Sequence, residues 1–249
     1  MSQPIMLVTG GSRGIGAATA IIGAARGYRV ALTYQSQSAA AEAVVQTIRE
    51  AGGIAIAMQA DVGVEADVLK VFKTIDDQWG KLDVLVNNAG MLEKQMRLDQ
   101  MDVARWQRVL NANVIGSFLC AREAVLRMST RHGGKGGSIV NLSSAAARLG
   151  SPNEFIDYAA SKGAVDTMTI GLAKEVATEG IRVNAVRPGL IYTDIHTSAG
   201  EPGRVERAKD AVPMKRGGTA EEVAEAVLWL ASEQSSYVTG TLIDVTGGR

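Results

Sequence analysis

Residues 5–16 read IMLVTGGSRGIG, and this stretch decides the fold. Ile5 to Val8 form a short apolar run of the kind a fully buried strand needs, and a helical stretch predicted from about residue 15 to 26 follows the glycines. Strand, glycine-rich loop and helix, in that order, are the context of a dinucleotide-binding fingerprint. Gly10, Gly14 and Gly16 permit a tight turn, close approach of the backbone to a pyrophosphate and close packing of helix on sheet. The helix N-terminus then offers unpaired amides to the phosphates. Gly10, Ser12, Arg13, Gly14, Ile15 and Gly16 are therefore candidate cofactor contacts, although three residues between Gly10 and Gly14 depart from the GxGxxG spacing.

Outward from this loop, apolar runs at 5–8, 29–34, 54–59, 83–87, 138–142, 182–186 and 241–245 alternate with helical stretches near 15–26, 38–51, 64–79, 101–131, 157–178 and 220–232. The alternation predicts an α/β fold with a doubly wound, parallel, seven-stranded sheet, a Rossmann fold. Ligands are expected at the carboxyl ends of the strands, where strand order reverses. A chain of 249 residues buries a sizeable core without dividing, so residues 1–249 are expected to form one domain.

Composition narrows the function. Lysine and arginine number 26 against 26 aspartates and glutamates, so no global field favours nucleic acid or an anionic membrane, and small molecules are the expected partners. The single cysteine, Cys120, has no intramolecular disulfide partner, and no basic leader with a long apolar run precedes the first strand. No apolar stretch is expected to approach the ~20 residues of a membrane-crossing helix. These readings predict a cytoplasmic protein. One cysteine and two separated histidines form no metal-ligand cluster, so no metal is expected. A serine hydrolase is disfavoured: no GxSxG occurs, and the histidine base it needs has only two candidates, His132 in a glycine loop and His196 in a segment expected to be mobile, both expected to be exposed.

The chemistry-bearing residues are Ser144, Tyr158 and Lys162. Tyr158 and Lys162 are four apart, on one face of the predicted helix. An ammonium beside a phenol favours the phenolate, so Lys162 is expected to lower the pKa of Tyr158. A half-buried aromatic beside a solvated lysine is the alternative.

With TGGSRGIG at 9–16, Asp61 and Val62, NNAG at 87–90, Asn113, Ser144, YAASK at 158–162 and Pro188–Gly189 in this order, the chain resembles the short-chain dehydrogenase/reductase family from about Ile5 to Gly248. The resemblance implies carbonyl and alcohol interconversion through NAD(P)(H), with Asn113, Ser144, Tyr158 and Lys162 as the catalytic set. It assigns Tyr158 the proton, Ser144 the polarising hydrogen bond, Lys162 the nicotinamide ribose and Asn113 a water of a proton relay. It further implies that Asp61 and Val62 meet the adenine, Asn88, Ala89 and Gly90 the adenosine ribose, and Pro188, Gly189, Ile191 and Thr193 the nicotinamide end. Asp61 as a helix cap, Pro188–Gly189 as a plain turn and Asn87 as a structural residue are the local alternatives. The interval from Ser144 to Tyr158 is one residue longer than in many members.

Cofactor choice rests on the end of the second strand, where an NAD-selective fold places an acid on the ribose 2′-hydroxyl. Tyr34, Gln35 and Ser36 stand there instead, and Arg13 can reach a 2′-phosphate. NADP(H) is favoured, with NAD(H) possible because Gln35 and Ser36 tolerate a bare hydroxyl. The polar segment at about 195–218 is expected to form a substrate lid in which Arg204 and Arg207 could greet an anionic substrate. A generic carbonyl or alcohol substrate comes first, 3-oxoacyl thioester reduction second and sugar oxidation third. Arg127, Arg131 and Lys135 could offer a basic face to an acyl carrier protein, opposed by Glu175 and Glu179. A non-catalytic dinucleotide-binding redox sensor is the alternative of another class. By resemblance the assembly is a homotetramer, with Ala159, Ala160, Gly163 and Ala164 allowing close helix approach.

Overall fold

A computed structural model describes residues 3–249. Seven strands, β1 (Ile5–Val8), β2 (Arg29–Tyr34), β3 (Ala55–Gln59), β4 (Val84–Asn87), β5 (Gly137–Leu142), β6 (Ile181–Pro188) and β7 (Leu242–Val245), form one parallel sheet in the order β3-β2-β1-β4-β5-β6-β7. The order reverses between β1 and β4, which opens a crevice above their carboxyl ends. β1 shows why its run is wholly apolar. Met6 and Val8 enter one core layer while Ile5 and Leu7 enter the other, so neither face meets water.

The helices cover both faces. On one side lie α1 (Gly14–Ala25), α2 (Ser38–Glu50) and α10 (Ala220–Ala231). On the other lie α3 (Glu65–Trp79), α5 (Gly116–Met128) and α7 (Ile156–Val176). The α2 stripe Ala41, Val44, Val45, Ile48 and the α3 stripe Val68, Val71, Phe72, Ile75 both follow helical spacing, which turns one apolar face of each onto the sheet.

The helix expected over 101–131 is interrupted. α4 (Val103–Leu110) passes through a π-helical turn, Asn111–Ile115, into α5. The run Val103–Met128 is also long and apolar enough to cross a membrane by length and composition, against the sequence expectation. Its apolar character has another cause here, since Cys120, Ala124 and Met128 are buried in the core layer beside β4 and β5.

The segment 195–218 also departs from a featureless loop. It carries α8 (Ile195–Ser198) and α9 (Arg204–Ala208), and Leu190, Val205 and Val212 form a small core of their own beneath it. Its root is pinned where Gly218 N–H donates to Leu190 O and Tyr192 N–H to Gly218 O, both at 2.9 Å. The remaining short helix, α6 (Ala146–Leu149), follows β5.

Candidate active site

The glycine loop is a backbone cradle. Gly10 and Gly14 adopt positive φ of 63° and 53°, a region costly for residues with a Cβ. At Gly16 a Cβ would stand 2.4 Å from Gly10 O and 2.5 Å from the Asn88 amide, so only glycine lets α1 begin this close to the loop. Asn88 holds the loop from across the switch point, its Nδ2 donating to Thr9 O at 2.8 Å and Gly10 O at 2.9 Å. The Thr9 hydroxyl accepts from the Asn88 and Ala89 amides. The first turn of α1 has no side-chain cap and no acidic residue, which suits a negatively charged ligand.

Around this cradle lies a 430 Å³ cavity whose wall includes Ser12, Arg13, Ser36, Asp61, Val62, Ala89 and Gly90. Gly16 lies just beneath it, in contact with Gly10 and Asn88. Arg13 is exposed at the rim. Asp61 does not serve as the N-cap of α3, a position held by Val64. Its carboxylate instead accepts from Gly63 N–H at 2.9 Å and from Gln35 Nε2 at 2.8 Å, so the acid expected to meet adenine already fastens the end of β2. Asn87 is structural, donating to Ser117 O on α5 and to Asn141 Oδ1 on β5.

A second cavity, of 530 Å³, is lined by Ser144, Tyr158 and Lys162 together with Ile15, Pro188, Gly189 and Ile191. Asn88, Gly90, Thr193 and Ile195 line both cavities, which makes them one cleft over the switch point. Thr193 closes over the loop, so that a Cβ on Gly14 would lie 3.2 Å from its methyl group. The cradle, glycines at close approach and an open helix N-terminus fit a dinucleotide extended along this cleft.

Ser144 leaves the end of β5 with its Oγ accepting from Ala146 N–H at 3.1 Å and hydrogen bonding with Tyr158. Ser143 points away and donates to Lys162 O, a packing role. Lys162 is buried, donates from Nζ to Leu142 O at 2.6 Å, and sits 5.6 Å from the Tyr158 ring centroid. Burial drives its pKa down to about 8, and the charge of Asp166 one turn on resists the fall. Tyr158 does not show the lowered pKa expected from the sequence. Burial raises it, and hydrogen bonding with Ser144 only partly opposes the rise. The Lys162 ammonium is directed at the Leu142 carbonyl rather than at the phenol oxygen.

Asn113 lies on the π-helical turn, beneath the cleft rather than in its wall. Its Oδ1 accepts from Met91 N–H at 2.7 Å, and its Nδ2 donates to Met91 O at 3.1 Å and Ser161 Oγ at 3.0 Å. Those bonds engage the side-chain amide in clamping the loop after β4. A Cβ on Gly90 would stand 3.3 Å from Asn113 Oδ1 and 3.4 Å from Lys162 Nζ, which places all three together.

Several lid expectations change. Arg204 is stacked over Phe155 at 4.9 Å and paired with Glu154 and Glu201, while Arg207 also pairs with both acids. Neither guanidinium is an uncompensated anion receptor. His196 is buried rather than exposed, its Nε2 bonded to Ile191 O at 3.2 Å, because α8 folds it onto the lid root. His132 is exposed. Sequence reasoning missed Leu92, Leu142, Leu149, Phe155 and Leu190 in the substrate-side wall. Ordinary apolar residues scattered over four segments carry no periodic signal.

Comparisons with known proteins agree with this geometry. Residues 10–249 match the family model described as enoyl-(acyl carrier protein) reductase. An uncharacterized oxidoreductase, YgfF, of Escherichia coli strain K12 is 57% identical over 98% of this chain and 99% of its own length. A 3-oxoacyl-[acyl-carrier-protein] reductase of Synechocystis is 40% identical over 100% of this chain and 97% of its own. Among solved structures, a dehydrogenase/reductase from Sinorhizobium meliloti 1021 superposes with a TM-score of 0.90 at 35% identity, covering 100% of this chain and 95% of that one.

Proposed function

The chain belongs to the short-chain dehydrogenase/reductase family and is an NAD(P)-dependent oxidoreductase interconverting carbonyls and secondary alcohols, and on that premise we propose that Tyr158 exchanges the proton and that the substrate is neutral. The observation that carries this reading is the single cleft in which Ser144, Tyr158 and Lys162 face the same space as the glycine cradle. When bound, NADP(H) supplies or takes up the hydride. Tyr158 gives its phenolic proton to the carbonyl oxygen, Ser144 donates a hydrogen bond to that oxygen, and Lys162 holds the nicotinamide ribose with its remaining N–H groups. The raised pKa keeps Tyr158 protonated at neutral pH, ready for reduction. Oxidation requires the phenolate, so its pH optimum is expected above that of reduction.

NADP(H) is the favoured cofactor. Gln35 and Ser36 bring no negative charge to the end of β2, and the exposed Arg13 guanidinium suits a 2′-phosphate. A neutral substrate is supported by a wall that combines Leu92, Leu149, Phe155 and Leu190 with Arg204, already matched by two acids, while a second arginine, Arg249, is the exposed C-terminal residue at its edge. The Synechocystis relative favours a second reading, reduction of a 3-oxoacyl thioester. Carrier docking has less support. Arg127 is bound by Asp76 and Glu123, and Arg131 by Glu179, so two of the three expected docking cations, all but Lys135, are compensated internally.

The protein is read as cytoplasmic and homotetrameric. Apolar Leu110, Ile115, Phe118 and Leu126 are exposed along α4–α5, and Gly163 and Gly171 on α7 leave open space where a second copy could approach. Light scattering is expected to give four times the 26.1 kDa chain mass, and a monomer would remove this part of the reading.

The test of the whole reading is NADPH or NADH oxidation against neutral ketones, their carboxylated analogues, 3-oxoacyl thioesters of coenzyme A, and ketoses. Faster turnover of neutral ketones with NADPH is expected. Preference for carboxylated ketones would overturn the neutral-substrate reading, and cofactor binding without turnover would favour the redox-sensor alternative.

A further inference from the structure

One buried ion pair stands beside the catalytic helix without entering the chemistry above. Arg105 of α4 and Asp157 of α7 are 4% and 3% exposed at the side chain, joined Nε to Oδ2 at 2.7 Å and Nη2 to Oδ1 at 3.3 Å. The Arg105 fork has a third engagement, Nη1 donating to Lys94 O at 2.6 Å in the loop after β4. Asp157 Oδ1 also accepts from the backbone N–H of Tyr158 at 2.9 Å. The pair therefore ties three pieces together: α4, the loop whose Met91 and Leu92 line the cleft, and the first turn of α7.

Stability alone gives little reason for such a pair. Taking two charges out of water is costly, and well-packed apolar replacements of buried ion pairs are often neutral or stabilising. Direction is what an ion pair adds, because a two-pronged guanidinium–carboxylate contact fixes both angle and distance. Asp157 immediately precedes Tyr158, so any rotation of the first turn of α7 moves the phenol. A displacement of ~1 Å at a reacting group can cost ~10²-fold in rate.

We propose that Arg105 and Asp157 are positioning residues that set the placement of Tyr158 against Ser144 and the cleft wall. The inference rests on Tyr158 being the proton donor, and its test includes a readout that needs no substrate. The double variant Arg105→Met with Asp157→Leu removes both charges and retains apolar bulk. Its melting temperature is expected to stay within a few degrees of wild type. Tyrosinate absorbance, taken as the difference from the same background carrying Tyr158→Phe, is expected to titrate about 1 pH unit lower, because a ring no longer held in its site gains solvent. Turnover of the fastest ketone in the panel is expected to fall ~10-fold or more with NADPH affinity unchanged.

A folded double variant with the wild-type Tyr158 midpoint and wild-type turnover would overturn the proposal and leave the pair a structural contact. If the double variant fails to fold, Arg105→Lys keeps the charge and loses both the two-pronged contact with Asp157 and the bond to Lys94 O, and the same two shifts are expected at smaller size. Their absence there would overturn it equally. A wild-type protein that reduces nothing in the panel would count against the oxidoreductase reading, while the tyrosinate midpoint would still decide the positioning role.

Discussion

The two ends of the cleft are made of different material. At the dinucleotide end the shape comes from backbone: glycines at positive φ, a helix beginning within contact of the preceding loop, and the Asn88 amide stitching that loop to β4. At the substrate end it comes from side chains: Ser144, Tyr158 and Lys162 on a polar line, an apolar wall, and a lid held by charges on Glu154, Glu201, Arg204 and Arg207. A backbone site binds the phosphates every such cofactor carries, whereas a side-chain site can vary without disturbing it. The difference teaches that binding and chemistry can be lost separately.

The largest expected effect tests that separation. Tyr158→Phe removes one hydroxyl and is expected to lower turnover at least ~10²-fold while NADPH affinity stays within about twofold of wild type. Near-normal turnover would break the comparison. Gly16→Ala is the reverse experiment. Its methyl would meet the Gly10 carbonyl and the Asn88 amide, and overpacking of about 1–3 kcal/mol should weaken NADPH ~10-fold or more by titration. Unchanged affinity would show that the cradle is not where the phosphates sit.

Arg13→Ala sharpens the dinucleotide end alone. NADPH is expected to weaken several-fold and NADH hardly at all, since only NADPH carries the extra phosphate. Equal losses would give Arg13 a structural role. The smallest effect is on stability. The Lys162 pKa lies at about 8 when folded against an ordinary 10.5, so between those values the unfolded chain holds more protons and stability rises with pH. Below about 8 the full cost of burying the charge is present. Lys162→Met is therefore expected to stabilise the cofactor-free protein at neutral pH by ~1–2 kcal/mol, allowing for the unpaired Leu142 carbonyl. That gain should shrink as pH approaches 10.5, and thermal melts across this range check it.

The same division explains what the sequence disclosed. Gly10 and Gly14 announce themselves because a positive φ writes itself as glycine, and Tyr158 with Lys162 because four residues make one helical face. β1 was legible since burial on both faces demands an unbroken apolar run. The clamp from Asn113 to Met91 was not, because no residue pattern marks a π-helical turn. Arg105 and Asp157, 52 residues apart, carry no sequence signal of the contact in which the fold buries them together. Nor can spacing weigh desolvation against charge, which is why Tyr158 was expected to shift down and is shifted up. The lid salt bridges bring together Glu154, Glu201 and Arg204 from segments without periodicity.

The most direct measurement is hydrogen exchange, with and without NADPH, read at the glycine loop and at residues 188–196 together. The account predicts slowed exchange at both, because one dinucleotide spans the cleft from the cradle to Tyr158. Slowing confined to the glycine loop would contradict it, since the nicotinamide would then not reach the side chains assigned to the proton.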